Sequence, residues 1–190
     1  MRTTNSGLLA AVGGVAILML STLCRAESPT QAAVWKEHKY SFMAMSFTST
    51  YSCDGLADKL KMLLLAAGAR PDAKANPGAC AMGFGRPDKL ASADLTFHTL
   101  VPADSAVAGS DRVQATWKPV AIKIDPLKQL GRGDCELVER FATTVLPMFT
   151  TRNVINRTRC VPHQDSGSLI DLRFEALTAP KAAAKTENPG

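Results

Sequence analysis

Two stretches of the chain share one spacing of apolar and polar positions. Each begins at a cysteine followed by an acid, Cys53 with Asp54 and Cys135 with Glu136. Apolar residues follow at the same offsets and fall on one stripe of a helix. They are Leu56, Leu60, Leu63, Leu64 and Ala67 in the first stretch, and Val138, Ala142, Val145, Leu146 and Phe149 in the second. The pattern predicts two amphipathic helices, the first with Ser52 as N-cap and ending at Gly68.

The two stretches also continue alike. An arginine follows each predicted helix (Arg70 and Arg152), a second cysteine comes later (Cys80 and Cys160), and the sequence Asp-Leu-x-Phe then occupies residues 94–97 and 171–174. The paired cysteines are 27 and 25 residues apart. We therefore predict that the middle of the chain is an internal duplication.

Alternating apolar and polar positions predict the strands. After a polar lead-in from residue 27 to about 36, residues 40–51 are expected to form a well-buried strand that includes Met43 and Met45. Further strands are predicted at residues 73–80, 93–101, 112–124, 152–161 and 168–177. Pro119 suggests an edge position or a bulge. Asp134 is expected to cap the second helix, and Pro147 to kink or end it.

These elements predict the α+β class, with a β-α-β-β unit that occurs twice. Two amphipathic helices need a sheet to pack against, so the simplest arrangement is a mostly antiparallel sheet with both helices on one face. We expect one domain over residues 27–178, made of repeats at about 38–102 and 111–178. Residues 179–190 are rich in Ala, Lys and Pro and are expected to form a disordered tail.

The cysteines are expected to form two disulfides. A helix rises about 1.5 Å per residue, and a strand covers about 3.3 Å per residue. A strand that returns beneath its own helix therefore ends level with the start of that helix. This predicts the pairs Cys53–Cys80 and Cys135–Cys160. The alternative is reactivity, because a helix N-terminus lowers the pKa of a thiol and could support redox chemistry or a metal site.

The first 26 residues have the features of a secretory signal peptide. Arg2 precedes an apolar run from Leu8 to Leu20, and cleavage is expected after Ala26. A lipoprotein that uses Cys24 is an alternative, which Leu23 disfavours. We expect a periplasmic or secreted protein with no transmembrane segment after cleavage.

Charge adds little to this picture. The chain has 22 basic and 17 acidic residues, and cleavage removes Arg2 and Arg25, which leaves a net charge of +3. No basic cluster alternates with aromatic residues, so nucleic acid is not an expected partner.

Few residues suggest chemistry. Arg70, Arg152, Asp94 and Asp171 recur in both stretches, and His98 follows the first Asp-Leu-x-Phe where Glu175 follows the second. The structural interpretation places the arginines at helix C-termini and the aspartates at strand starts, where they cap backbone groups. The functional interpretation is a pair of ligand-binding sites. His38 and His163 are expected at the surface. No catalytic constellation, metal-ligand spacing or cofactor motif is present, so no catalytic residue, metal or cofactor is predicted.

The leader, followed by Ser-Cys-Asp-Gly-Leu-Ala-Asp-Lys-Leu at residues 52–60 and Gly-Ala-Arg-Pro-Asp at residues 68–72, resembles a group of short exported proteobacterial proteins. This resemblance implies a periplasmic setting and supplies no activity, ligand or catalytic residue.

Taken together, the sequence favours an exported, non-catalytic binding module that recognises a protein or another component of the cell envelope. Open sheet edges that accept a partner strand would be one means of binding. The alternative is a small periplasmic redox protein or enzyme that uses a helix-N-terminal cysteine or His98.

Overall fold

The computed structural model describes residues 30–80, 87–105, 112–125, 130–164 and 166–180. The expected signal peptide at residues 1–26 and the tail from residue 181 onward lie outside this part of the chain. The side chains of residues 79, 80 and 105 also lie outside it, and they include that of Cys80.

The described residues form six strands and two α-helices, which confirms the α+β class. In chain order these are β1 (Gln31–Met45), α1 (Cys53–Ala66), β2 (Lys74–Cys80), β3 (Leu90–Pro102), β4 (Arg112–Lys123), α2 (Cys135–Thr144), β5 (Thr151–Asn156) and β6 (Asp171–Thr178). Short 3₁₀ turns, Arg132–Asp134 and Leu146–Met148, flank α2. The order strand, helix, strand, strand therefore occurs once before residue 103 and once after residue 111.

The strands form one antiparallel sheet with the order β2-β3-β1-β4-β6-β5. Its two central strands pair with each other only briefly, through Gln31–Val34 of β1 and Arg112–Ala115 of β4. Beyond these residues, within the described part of the chain, β1 pairs only with β3 and β4 only with β6. Pro119 lies in this singly paired part of β4. Because β1 does not pair with this part, the missing N–H of Pro119 costs no hydrogen bond to β1.

Local chemistry sets the helix ends. Ser52 Oγ accepts a hydrogen bond from the N–H of Gly55 at 3.1 Å, as expected of an N-cap. Gly68 follows α1 with a φ of +98°, a conformation that favours glycine. A Cβ at this position would lie 2.8 Å from Thr178 Cγ2, so glycine also allows a close approach to β6. Pro147 lies in the 3₁₀ turn that follows α2.

One buried cluster joins both helices to the sheet. Alternate residues of the strands face it, and Leu56, Leu60 and Leu64 of α1 and Val138 and Phe141 of α2 complete it. From β1, β3 and β6 it takes Phe42, Ala44, Ala91, Ala93, Leu95, Phe97, Leu172, Phe174 and Ala176. The stripe predicted for the first helix is therefore the buried face of α1. Of the second stripe, Val138 and Ala142 lie in α2, whereas Val145, Leu146 and Phe149 are buried beyond its end at Thr144.

The first strand was predicted wrongly at both ends. It begins at Gln31, inside the expected polar lead-in, and ends at Met45 rather than at residue 51. Ala33 is buried because it packs with Leu100 and Ala115 in a smaller apolar cluster, and the adjacent Val34, on the other face, is buried as well. Met43 and Met45 are not in the core: their side chains are 49% and 57% exposed on the opposite face of the sheet.

Local predictions for four further residues were wrong. Asp134 stands at the N-cap position of α2 but makes no capping hydrogen bond to that helix. Arg152 lies within β5 rather than at a helix C-terminus, and Asp94 lies inside β3 rather than at its start. His38 is half-buried: it stacks on Phe97 with ring centroids 5.3 Å apart, and burial, followed by the charges of Lys36 and His98, lowers its pKa.

Candidate functional site

The sheet face opposite the main core carries most of the predicted ligand residues. Antiparallel pairing places Trp35 opposite Leu100 and Glu37 opposite His98 on this outer face. In the second half it places Trp117 opposite Leu177. Each half therefore presents a tryptophan beside a leucine, close to the short segment where β1 and β4 pair.

Around Trp35, charged groups form what we call the first assembly, which consists of Trp35, Arg70, Asp72 and His98. The guanidinium carbon of Arg70 lies 5.7 Å from the centre of the Trp35 ring. Arg70 donates two hydrogen bonds to Asp72, at 2.8 and 2.6 Å, and its Nη2 lies 3.0 Å from His98 Nδ1. The hydrogen bond to Arg70 lowers the pKa of Asp72 and raises that of Arg70. The guanidinium is thus fixed and largely neutralised.

The turn after α1 positions this arginine. Gly68 reverses the chain, and the N–H of Arg70 then donates to the carbonyl of His98 at 3.0 Å. This bond lies beyond the end of the β2–β3 ladder and aligns residue 70 with residue 98.

The second assembly consists of Trp117, Arg152, Asn153 and Glu175. The guanidinium carbon of Arg152 lies 4.4 Å from the centre of the Trp117 ring, and Arg152 Nη2 lies 2.6 Å from Glu175 Oε2. Asn153, at a φ of 53°, donates a 2.9 Å hydrogen bond to the other oxygen of Glu175. The bonds from Asn153 and Arg152 lower the pKa of Glu175. Glu175 therefore occupies the place that His98 has in the first assembly.

A second, smaller apolar cluster lies between the two assemblies. Its buried members are Ala33, Leu100, Ala115 and Leu177, and Trp35, Val113, Trp117 and Ala179 are partly buried against it. Both tryptophans therefore have a structural role on this face, in addition to their contacts with the arginines.

A groove lies beside Trp35, between the end of α1 and the singly paired part of β4. Its volume is about 620 Å³. The first half contributes Trp35, Leu65, Ala66, Gly68, Ala69 and Pro71. The second half contributes Lys118, Pro119, Val120, Thr178, Ala179 and Pro180. Lys118 is the single charged residue among the described residues that line it. The described walls are therefore largely apolar, and both halves form them.

The structure does not gather the five predicted ligand residues into one site. Arg70 and His98 meet, as described, and Arg152 pairs with Glu175. Asp171 instead forms an ion pair with Arg173, whose Nε lies 2.7 Å from Asp171 Oδ1. Asp94 is exposed on the outer face, opposite Ser41 and Asn76.

One predicted disulfide is present between described side chains. Cys135 and Cys160 are bonded with a Cα–Cα distance of 5.5 Å, so this half of the pairing prediction is confirmed. Cys53 is also disulfide-bonded and buried. Because the side chain of Cys80 lies outside the described part, the pair Cys53–Cys80 stays a prediction.

Sequence reasoning missed the polar contacts that join the halves. The buried Asp134 accepts hydrogen bonds from Tyr51 Oη at 3.0 Å, Lys59 Nζ at 2.7 Å and the N–H of Gly131 at 2.7 Å. Burial and Asp134 raise the pKa of Tyr51. Tyr51 and Lys59 are more than 70 residues from Asp134 in sequence, so no local pattern identifies their partner.

The sequence interpretation also missed an exposed apolar patch. Met43, Met45 and Leu90 share the outer face at the end of the sheet remote from the tryptophans, because Met45 pairs with Leu90. Phe47 lies beyond them in the turn after β1 and is 53% exposed. The alternation in residues 40–51 was the available signal, but it did not indicate which face is buried.

Comparisons with known proteins add no relative. No protein-family model, no curated protein and no solved structure matches this chain. Within the described ranges, no helix is both long and apolar enough to cross a membrane. The same ranges contain no group of three or more His, Cys, Asp or Glu side chains placed to hold a metal ion.

Proposed function

We propose that this protein is an exported, non-catalytic module that binds a component of the cell envelope in the groove between its halves. The observation that carries the proposal is the groove itself, which lies between the end of α1 and the singly paired part of β4 and which both halves line. Ligand pockets commonly have volumes of roughly 300–1,000 Å³ and lie between structural units. The groove of about 620 Å³ has this size and this place.

The sheet edges support binding less well than the groove does. β2 and β5 are the outer strands, and each has a register shift in its pairing. β2 also contains Pro77, and β5 contains Asn153 in the left-handed region. Bulges and prolines are typical devices that prevent an edge from accepting another strand. We therefore favour the groove over strand addition.

The alternative of a redox protein or enzyme has less support from the geometry. Cys53 and Cys135 are buried and disulfide-bonded, so neither is a free thiolate at a helix N-terminus. His98 is engaged by Arg70. The groove is lined mainly by apolar groups and presents no pair of acid and base.

The proposal includes the origin of the two halves by duplication. From either edge of the sheet, the strands of a half follow in the order second, third, first. Each half also has one tryptophan covered by one arginine. Divergence between the copies then explains why His98 stands where the second copy has Glu175.

Native mass spectrometry of mature protein purified from its own cells tests the function. Wild-type protein should carry a non-covalent adduct. Ala66→Trp should lose this adduct, because Ala66 lines the groove and the indole would fill it. Asp58→Trp is the matched control, since Asp58 is exposed on the same helix and does not line the groove. Circular dichroism confirms that both variants fold.

Two results would contradict the proposal. The absence of any adduct on wild-type protein, even after incubation with envelope extract, would contradict binding of an envelope component. An adduct that Ala66→Trp retains as fully as Asp58→Trp would place binding elsewhere on the molecule.

A further inference from the structure

We infer that the groove takes a single-chain anionic amphiphile, that is, an unbranched alkyl chain with one negatively charged head group. This inference rests on the proposed function and names the class of ligand for the same groove. It follows from the composition of the groove walls and from the position of their one charge.

The walls suit an alkyl chain. Trp35 offers an aromatic surface, and Leu65 at the end of α1 is 41% exposed. Ala66, Gly68 and Ala69 leave space beside them because their side chains are small or absent. An alkyl chain needs no hydrogen-bond partner, so it can cover this surface without leaving polar groups of its own unsatisfied.

Backbone chemistry disfavours a peptide as the occupant. An extended peptide would need hydrogen-bond partners along the singly paired segment of β4, which borders the groove. Pro119 lies in that segment and has no N–H to donate. A peptide strand inserted beside β4 would therefore lack one of its bonds.

The charge at the groove favours an anionic head group. Lys118 is exposed and, among the described residues that line the groove, it is the single charged one and none is a carboxylate. Arg70 lies next to Ala69 and Pro71 and covers Trp35, but Asp72 pairs with it, so Lys118 carries the positive charge that faces the groove. A carboxylate or phosphate head beside Lys118 gains charge complementarity, whereas a cationic head would meet repulsion.

The chain's two tryptophans allow a direct test. Trp117→Phe leaves Trp35 as the sole indole, and Trp35→Phe leaves Trp117, which does not line the groove. We would titrate both variants with dodecanoate and with dodecyltrimethylammonium, each below the concentration at which it forms micelles. The fluorescence of Trp35 should change and saturate with dodecanoate, and that of Trp117 should stay constant.

Charge variants then separate head-group recognition from simple hydrophobic adsorption. Lys118→Ala should weaken dodecanoate binding about threefold to fivefold, the size expected for an exposed ion pair. Lys123→Ala is the control, since Lys123 is exposed on the same strand outside this groove. Higher salt should reduce the difference between wild type and Lys118→Ala.

Several outcomes would overturn the inference. Equal binding of the cationic and anionic amphiphiles, or equal effects of the two lysine variants, would contradict recognition of an anionic head group. A Trp35 fluorescence that does not respond to dodecanoate would also contradict the inference. If that fluorescence changes when the chain is shortened to end at Pro180, the C-terminal residues occupy the groove. If it changes on dilution of the protein, a second copy occupies it. A native adduct that Ala66→Trp abolishes but that is not an amphiphile would overturn this inference and leave the proposed function intact.

Discussion

Glu136 joins the two halves of the molecule through several hydrogen bonds. It stands in the first turn of α2 and accepts bonds from Ser46 Oγ at 2.5 Å and from the N–H of Phe47 at 2.7 Å, in the turn after β1. Burial alone would raise the pKa of Glu136, but these bonds and those from Thr48 outweigh it and lower the pKa. The carboxylate therefore stabilises the folded state while it is ionised.

Replacement of Glu136 should show this dependence on pH. Glu136→Gln should lower the free energy of unfolding at pH 7 by about 1–3 kcal/mol, because it removes the charge from these bonds. The folded-state pKa lies below the ordinary value of 4.5. The stabilisation is therefore present above pH 4.5 and is lost as the pH falls through the folded-state pKa.

Urea unfolding between pH 3 and pH 7 measures this effect. Glu139→Gln is the control, because Glu139 is exposed on the same helix. Equal stability of the two variants at pH 7, or a difference that stays constant down to pH 3, would contradict this role for Glu136.

At the scale of elements, turns and cross-links position the outer face of the sheet. α1 ends before Gly68, which lies against Thr178 of β6 and leads into Arg70. The start of α2 is tied to residue 160 by the Cys135–Cys160 disulfide. Thr99 and Thr150 complete the link, since Thr99 Oγ1 donates to Met148 O and Thr150 Oγ1 donates to Leu100 O.

Even the smallest side chain at position 68 should destabilise the folded protein. Gly68→Ala should cost about 1–2 kcal/mol of stability, because alanine disfavours positive φ and its Cβ would crowd Thr178. Gly131→Ala is the control, since the nearest atom to a Cβ there is 3.8 Å away. Thermal unfolding of both variants measures the difference. Equal midpoints would show that the close approach of α1 and β6 is not required.

The confirmed disulfide should contribute measurably to stability. Its cysteines are 25 residues apart, and a loop of this size gives about 3 kcal/mol in the chain-entropy model. Cys135→Ser combined with Cys160→Ser should lower the free energy of unfolding by this amount without changing the fold. A much smaller loss in urea unfolding would mean that the surrounding contacts already hold residue 160 beside α2.

At the scale of the whole molecule, local patterns predicted elements better than they predicted contacts between halves. The spacing of Leu56, Leu60 and Leu64 identified α1 because a helix repeats its face locally. The groove depends instead on how the end of α1 lies beside β4 and β6, and contacts between distant elements leave no local signal. Arg152 was predicted as a helix-end residue. The strand that follows α2 begins only one residue before it, so Arg152 lies in β5 instead.

The compartment is also a property of the whole chain. The mass of the protein purified from its host should correspond to a chain that begins at Glu27 and contains two disulfides, and free-thiol counting should find none. A mass that includes residues 1–26, or a lipid attached at Cys24, would contradict cleavage after Ala26. A free thiol at Cys53 or Cys80 would contradict the remaining disulfide prediction.

Binding in the groove between the halves is the central claim, and the two indole N–H resonances test it most directly. Protein labelled with ¹⁵N-tryptophan would be titrated with an organic extract of the host envelope. Binding in the groove should shift the Trp35 resonance to saturation and leave the Trp117 resonance in place, and Ala66→Trp should abolish the shift of Trp35. If neither resonance moves, or if Trp117 responds and Trp35 does not, the groove is not the binding site.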